Sequence, residues 1–201
     1  MGIKMIKNII MESDITDEDK EIALYGMKRL TMLVTSIGVA LLIGIAVGEL
    51  KGVILFLAMF MPLRVFAGGL HMPRLWLCGI ASSLLIISVA LLIKYIEPER
   101  MIASELLILC IISAIIIIIL APVDTENKRL FFHEKRKFKI ISAVLVLAEI
   151  AVIFLPSVSP RVSMIAGISL MAENSYLIIQ ALINTAFEKY KTNGKCLSDG
   201  G

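Results

Sequence analysis

The chain consists of long hydrophobic stretches separated by short polar segments, and its apolar residues come in blocks rather than at the spacing of one helix face. Residues 106–121, for example, contain no charged side chain. A helix of about 20 consecutive apolar residues crosses the hydrocarbon core of a bilayer. The pattern therefore predicts an all-α, polytopic membrane protein in which residues 1–201 form a single integral membrane domain.

Six stretches are candidates for membrane-spanning helices. Five of them approach the required length, and they cover about residues 31–48, 75–93, 102–121, 140–155 and 162–183. The second in chain order, residues 52–63, gives only about 18 Å of helix against about 30 Å of hydrocarbon. It can cross only by continuing past Arg64 to about Ala67, or as a helix broken at Pro62. We expect about six transmembrane helices, with the second one short or broken.

Both ends of the chain are polar. Ile3, Ile6 and Ile10 fall on one helical face, so residues 1–22 are predicted to form a short amphipathic helix at the membrane interface. A frayed terminus fits the same pattern equally well. Residues 188–201 are predicted to form a flexible cytoplasmic tail.

Composition favours a membrane protein over a soluble one. The chain is 58% hydrophobic and 18% charged, with a mean hydropathy of +0.90, whereas a soluble domain is about half apolar and a quarter charged. The net charge of +3 is small, and no nucleic-acid partner is expected. The three cysteines do not form the pattern of a disulfide framework.

The distribution of lysine and arginine predicts the orientation, because these residues favour the cytoplasmic side of a membrane. They concentrate near the N-terminus, in the tail and in residues 122–139, which hold six of them. If all six stretches cross, these regions and residues 64–74 lie on one side, and the other side receives four basic residues. We therefore expect both termini and residues 64–74 on the cytoplasmic side.

A histidine and a cysteine lie seven positions apart between two hydrophobic stretches. A cysteine nucleophile needs a nearby base to form its thiolate, but one continuous helix would separate His71 from Cys78 by about 10.5 Å. Pro73 favours a helix start, and Gly68 and Gly69 allow backbone conformations closed to other residues. We expect His71 on a loop that folds back over the first turns of the helix that carries Cys78.

Other interpretations of these residues stay open. A membrane helix can hold a cysteine as a small apolar side chain, and Arg64 either extends to the interface or anchors a substrate carboxylate or the motif's own carbonyls. No metal and no cofactor are expected, because His133 and Cys110 are isolated from further ligands. Four polar residues inside hydrophobic stretches either orient His71, line a peptide groove or pair with neighbours; they are Glu105, Glu149, Glu173 and Asn174.

Two segments resemble a known family. Arg64-x-x-Ala67-Gly68-Gly69-x-His71, followed by six residues and Cys78, resembles the signature of accessory gene regulator protein B (AgrB), a family of membrane-embedded peptidases of bacterial quorum sensing. Residues 121–128, Ala-Pro-Val-Asp-Thr-Glu-Asn-Lys, are similar to the family's segment after its fourth hydrophobic helix. The family often continues with proline there, whereas this chain has Arg129.

The resemblance implies an activity. Family members cut the C-terminal tail from a small AgrD-type propeptide, so the chain would be a cysteine peptidase, a hydrolase with a His–Cys dyad. Cys78 would hold the peptide as an acyl thioester and His71 would transfer protons, after which a Cys or Ser of the peptide closes a thiolactone or lactone ring. The resemblance also implies a multi-pass location in the bacterial cell membrane and favours a homodimer.

Further residues have a supporting role in this interpretation. Arg64, Gly68 and Gly69 would support the motif or bind the peptide. Lys135, Arg136 and Lys137 would attract the acidic tail of the propeptide, unless they only fix the topology. Two other classes of function compete with the enzyme: a small transporter or channel with Glu105, Glu149 and Glu173 along a polar path, and a non-catalytic adaptor whose basic loop binds an acidic partner.

Overall fold

The computed structural model describes residues 16–68, 75–98, 104–122 and 132–198, and within these ranges the chain forms helices and no strand. The prediction of an all-α fold is therefore confirmed. Six long helices make up the described parts of the chain: α1 (Asp17–Val47), α2 (Leu50–Ala67), α3 (Leu75–Tyr95), α4 (Ser104–Leu120), α5 (Phe132–Phe154) and α6 (Pro160–Ser198).

A tight turn joins α1 to α2. Helix α1 starts at Thr16, whose hydroxyl accepts a hydrogen bond from the backbone N–H of Asp19, as an N-cap residue does. It ends at Gly48, whose φ of 82° lies in the left-handed region, where glycine is favoured. The Glu49 N–H then donates to the Gly44 carbonyl at 2.8 Å, which closes the turn and starts α2.

Helix α2 resolves the alternatives that the sequence left for the short second stretch. It is one continuous helix of 18 residues with Pro62 inside it, or about 27 Å at 1.5 Å per residue. The stretch therefore continues past Arg64 to Ala67 and is not broken at the proline. It ends at Gly68, where φ is 88° and ψ is 173°.

Side-chain contacts at one end of the bundle fix how the helices run. The Lys94 ammonium at the end of α3 donates to the Val47 carbonyl at 2.9 Å, and Arg161 at the start of α6 pairs with Glu49. The Ser163 hydroxyl donates to the Val152 carbonyl at 3.3 Å. The C-terminal ends of α1, α3 and α5 therefore lie beside the N-terminal ends of α2 and α6. The opposite end, here called the motif end, holds the end of α2 and the starts of α3 and α5.

Helices α2 and α6 form the centre of the bundle. Within Pro160–Thr185 of α6, 67% of the residues are buried, against 11% within Leu30–Val47 of α1. Both central helices contribute to two buried clusters. The first cluster also draws on α1 and α3 and includes Phe56, Phe60, Val89 and Tyr176. The second also draws on α4 and α5 and includes Leu63, Ile117, Val146 and Leu177.

Glycines allow close contacts between helices near the α1–α2 turn. A side chain added at Gly44 would meet the Leu50 Cα and the Val53 Cβ, each at 3.2 Å, and one added at Gly52 would meet the Ile93 Cγ2 at 2.9 Å. Small residues at such contacts are common in membrane helices, where packing contacts rather than water exclusion hold neighbours together.

The outside of the bundle is apolar. Large hydrophobic side chains on several helices are exposed, among them Leu42, Leu84, Ile119 and Val144. Among the described residues, three segments are long and apolar enough to cross a bilayer: Leu30–Val47, Leu50–Ala67 and Pro160–Thr185. Two shorter apolar helices accompany them, Gly79–Tyr95 and Leu107–Leu120. This surface suits lipid, as the sequence predicts for a membrane protein. Six crossings and the cytoplasmic orientation stay predictions.

The predictions for the two ends of the chain are tested only in part. Residues 17–22 form the start of α1, while residues 1–15 of the predicted interfacial helix lie outside the described residues. Helix α6 continues to Ser198, through most of the segment predicted to be a flexible tail. That flexibility stays a prediction.

Candidate functional site

Arg64 lies in the last turn of α2 and faces the interior of the bundle. The Cζ atom of its guanidinium is 4.3 Å from the centre of the Tyr176 ring and 5.6 Å from the centre of the Phe60 ring. Both rings are buried, and their centres are 6.1 Å apart. A cation over aromatic faces is stabilised by about 2 kcal/mol when water is excluded. The guanidinium is thus held by aromatic side chains of α2 and α6 inside the bundle.

Gly68 ends α2 one turn after Arg64. Its φ of 88° and ψ of 173° belong to a backbone region that is almost confined to glycine. The sequence predicted a special backbone conformation at Gly68 and Gly69, and it is present at Gly68. Residues 69–74, which include Gly69 and His71, lie outside the described residues.

Cys78 is the fourth residue of α3. The described part of α3 begins at Leu75, while Pro73 and the helix start that it predicts lie outside the described residues. The backbone of Cys78 therefore lies near the N-terminus of α3, at the motif end of the bundle. Its side chain lies outside the described part of the structure, so the contact between Cys78 and His71 stays a prediction.

The basic segment also reaches the motif end. The Phe66 ring in the last turn of α2 contacts the Phe138 ring of α5, with centres 5.7 Å apart. Lys135, Arg136 and Lys137 occupy the turn of α5 just before Phe138, and the latter two are exposed. These three residues therefore lie at the same end of the bundle as the last turn of α2.

A buried glutamate pair, Glu149 of α5 and Glu173 of α6, lies in the core. Glu173 is 0% exposed, and its two carboxylate oxygens accept no hydrogen bond from the described residues. The Glu149 carboxylate accepts a long hydrogen bond of 3.4 Å from the Ser169 hydroxyl, one turn before Glu173 on α6. Nearby in the same helix, the Asn174 amide donates to the Ser113 hydroxyl at 3.2 Å.

Tyr176 connects this polar core to α3. Its hydroxyl donates to the Ala81 carbonyl at 3.4 Å, a long hydrogen bond. Ala81 lies three residues after Cys78, so the same tyrosine contacts Arg64 through its ring and the helix of Cys78 through its hydroxyl. Sequence reasoning missed Tyr176 and Ser169. Tyr176 lies three residues after Glu173 and Ser169 lies four residues before it, so all three share one face of α6. Only the packing of α2 and α5 against α6 shows that this face contacts other helices.

Candidate metal ligands are not brought together. Among the described residues, no three His, Cys, Asp or Glu side chains lie close enough to hold a metal ion. Cys110 is buried in α4 as a free thiol.

The comparisons with known proteins agree with this layout. The family model AgrB, Accessory gene regulator B, matches residues 3–185. The chain belongs to the AgrB family. No curated protein and no solved structure matches the chain.

Family membership defines the role of the chain at a coarse level. As an AgrB family member it is a membrane protein of the peptidase type that processes a propeptide in quorum sensing. The matched region contains all the elements described above: the end of α2, the start of α3, the basic segment of α5 and the buried glutamate pair. The suspected family is thereby confirmed.

Proposed function

We propose that this AgrB family member is a cysteine endopeptidase that cuts the C-terminal tail from an AgrD-type propeptide through an acyl thioester on Cys78. The observation that supports this most is the break between α2 and α3. Helix α2 ends at Gly68 in a glycine conformation, and α3 is helical again from Leu75. The glycine conformation at Gly68 separates α2 from α3, and we assign His71, in residues 69–74 between them, to a connection that brings it near Cys78.

Chain connectivity keeps the two groups near each other. His71 and Leu75 are four positions apart in the chain, so their Cα atoms are at most about 14 Å apart even when the chain is extended. A connection that turns back towards α3 brings them much closer. Cys78 lies near the N-terminus of α3, where the helix dipole favours a thiolate over a thiol.

The chemical steps follow from these positions. His71 accepts the proton of the Cys78 thiol, and the sulfur attacks the carbonyl carbon of the scissile peptide bond. The C–N bond then breaks, His71 donates the proton to the leaving amine, and the tail departs as a free peptide. The remaining peptide is joined to Cys78 as a thioester. A Cys or Ser side chain within the peptide attacks this thioester, and the Cys78 thiol leaves with a proton returned to it.

Ring closure from a thioester is chemically reasonable. A thioester is an activated acyl group, so its transfer to a thiol of the peptide is close to neutral in free energy. Water would hydrolyse the same intermediate, and a site that excludes water favours the ring. A peptide thiol gives a thiolactone, and a peptide hydroxyl gives a lactone.

The basic segment offers a binding surface for the peptide's acidic tail. Arg136 and Lys137 are exposed on α5 at the motif end, and clustered positive charge attracts an acidic segment over several ångströms. We assign Lys135 to the same surface. The competing role, in which these residues only fix the topology, predicts no effect of their charge on cleavage.

The proposal includes the predicted topology. Six helices cross the bacterial cell membrane, both termini and the motif end face the cytoplasm, and the protein acts as a homodimer. The motif end would then meet a newly made propeptide on the side where it is synthesised.

The deciding experiment replaces Cys78 and, as a control, Cys110. The chain is co-expressed with the AgrD-type propeptide, and cleavage is followed by mass spectrometry. Cys78→Ala should abolish cleavage, and a peptide joined to Cys78 should be detected in the native chain. Cys110→Ala is the matched control and should cleave normally, because Cys110 is buried in α4 away from the motif end. Normal cleavage by Cys78→Ala would exclude the thioester and leave transport or an adaptor role.

A further inference from the structure

A small cavity lies between α1 and α3, here called the α1–α3 cavity. Its volume is about 110 Å³, and on the α3 side it extends from Gly79 to Ile86, about 10.5 Å along the helix. Thr35 of α1 also lines it and is exposed, so the cavity is reached from the outside of the bundle. Gly79 follows Cys78 in the chain, so one end of the cavity lies beside the backbone of Cys78.

Four hydroxyl groups line the α1–α3 cavity, two from each helix. The hydroxyls of Thr35 and Ser83 donate to carbonyls one turn earlier in their own helices, at 2.8 Å and 2.9 Å respectively. Among the described residues, Ser36 of α1 and Ser82 of α3 make no side-chain hydrogen bond. The cavity therefore has one hydroxyl without a partner on each of its two walls.

This arrangement is unusual for the interface of two membrane helices. Serine side chains at such interfaces commonly hydrogen-bond across to the neighbouring helix, and a hydroxyl away from water is disfavoured unless it has a partner. A lipid chain would leave both hydroxyls unpaired. The rest of the lining is apolar and includes Val39, Ala40 and Ile86. The cavity thus suits an occupant that combines an apolar group with hydrogen-bonding groups.

A peptide has this combination. An apolar cavity of roughly 150 Å³ holds benzene, so the smaller α1–α3 cavity admits one aliphatic side chain rather than an aromatic ring. The backbone N–H and C=O groups beside such a side chain can bond to the hydroxyls of Ser36 and Ser82. The family processes a propeptide, and a peptide that reacts at Cys78 lies at the end of this cavity.

We propose that the α1–α3 cavity is a specificity subsite for the propeptide. It binds one aliphatic side chain of the peptide, and Ser36 and Ser82 bind the adjoining backbone groups. The inference rests on the proposed function, which supplies the peptide and places its reacting bond beside α3. It does not depend on the role of His71.

The first test separates binding of the peptide from its turnover. Ser36→Ala and Ser82→Ala each remove a hydroxyl without an internal partner, so neither should lower the thermal midpoint of the purified protein. Each should raise KM for the AgrD-type propeptide by about two- to tenfold, as expected for one lost hydrogen bond, with kcat within about twofold of the parent. A change in KM alone marks an interaction made with the bound peptide and not only in the reaction.

Ser88→Ala is the matched control. Ser88 lies on the same helix, is exposed and donates to the Leu84 carbonyl at 2.9 Å. It does not line the α1–α3 cavity, so its replacement should leave KM at the value of the parent. An equal rise of KM in Ser88→Ala would show a general effect of serine replacement on α3 and would overturn the inference.

The second test detects the contact directly and needs no cleavage. The full-length chain with Cys78→Ala is mixed in membranes with propeptides that carry photo-leucine at one aliphatic position each. After illumination, the adducts are located by mass spectrometry. At one peptide position they should fall on residues 35–40 and 79–86, which line the cavity. Ser82→Leu places a larger side chain in the cavity and should largely remove these adducts.

Three results would overturn the inference. Adducts on other helices alone would place the peptide elsewhere, and a parent-like KM in both serine variants would show that lipid or water occupies the cavity. Equal adducts with an unrelated hydrophobic peptide would show a nonspecific apolar surface.

The outcome is separable from that for the proposed function. If Cys78→Ala cleaves the propeptide, the thioester mechanism fails, while the adducts still report on the subsite. If Cys78→Ala is inactive and the cavity variants bind and cleave like the parent, only the subsite fails.

Discussion

Gly68 offers a sharp test of the break between α2 and α3. Its φ of 88° and ψ of 173° place it in a region where a residue with a side chain is strained by about 1–3 kcal/mol. Alanine at position 68 can keep this conformation, which costs the strain energy. Alternatively it rotates to negative φ, which changes the direction in which the chain leaves α2. Because about 1.36 kcal/mol corresponds to a factor of ten, we expect cleavage to fall by about 5- to 150-fold.

The assay compares propeptide cleavage and thermal stability of the purified protein in detergent. Gly38→Ala is the matched control, because Gly38 lies within α1 and an added Cβ would meet no atom within 4 Å. The control gains up to about 1 kcal/mol of helix propensity and should cleave normally. If Gly68→Ala redirects the loop, its thermal midpoint changes little while cleavage falls; if the strain is retained, the midpoint falls as well.

One result would refute the reasoning. Gly68→Ala with the cleavage rate and the thermal midpoint of the parent would show that position 68 needs no glycine conformation. The break between the helices would then not depend on this turn, and the support that it lends to a His71–Cys78 dyad would be lost.

Two other changes test packing and charge. Gly52→Val places a side chain against Ile93, whose Cγ2 lies 2.9 Å from an added Cβ. It should lower the free energy of unfolding by about 1–3 kcal/mol, which is measured as a lower thermal midpoint. An unchanged midpoint would contradict the close packing of α2 on α3. Reversing the charges of Lys135, Arg136 and Lys137 to Glu should slow cleavage at low salt, and the difference from the parent should shrink as salt screens the attraction. Cleavage that is unchanged by the reversal at every salt concentration would exclude an electrostatic role in binding.

Hydropathy predicted the existence and order of the helices better than their ends. The first hydrophobic stretch begins near residue 31, yet α1 begins at Asp17, and α5 begins at Phe132 although its stretch begins near residue 140. Hydropathy measures the part of a helix that suits lipid, while polar turns continue the same helix beyond it. Capping signals are more informative about ends, as at Thr16 and at Gly48.

The short second stretch shows where hydropathy fails for a physical reason. Arg64 appeared to end the apolar run, because a charge is disfavoured beside lipid. In the fold its guanidinium faces Tyr176 and Phe60 inside the bundle, so the helix continues to Ala67. Tyr176 is more than a hundred residues away in the chain, and such a partner cannot be identified from the local sequence around Arg64.

The local sequence predicted some features of the candidate site and was insufficient for others. Local chemistry was sufficient for Gly68, because the glycine pair predicted an unusual backbone conformation there. It was insufficient for Glu149 and Glu173, because a buried carboxylate in a hydrophobic stretch has many possible partners until the neighbouring helices are known. The sequence identified them as polar positions, and the fold shows that both are buried and that Ser169 donates a hydrogen bond to Glu149.

The thermal stability of a variant without the polar side chains of this core tests whether the core serves function. Replacing a buried ion pair with apolar residues of similar size is often neutral or stabilising by about 1–4 kcal/mol. Arg64→Met combined with Glu173→Leu should therefore leave the thermal midpoint unchanged or raise it, because apolar side chains suit the buried position of Glu173 and the aromatic rings of Phe60 and Tyr176 beside Arg64. If these two residues serve function, the same variant should still lose cleavage. A variant that melts much earlier than the parent would show that the pair stabilises the fold, and the reason to assign it a functional role would disappear.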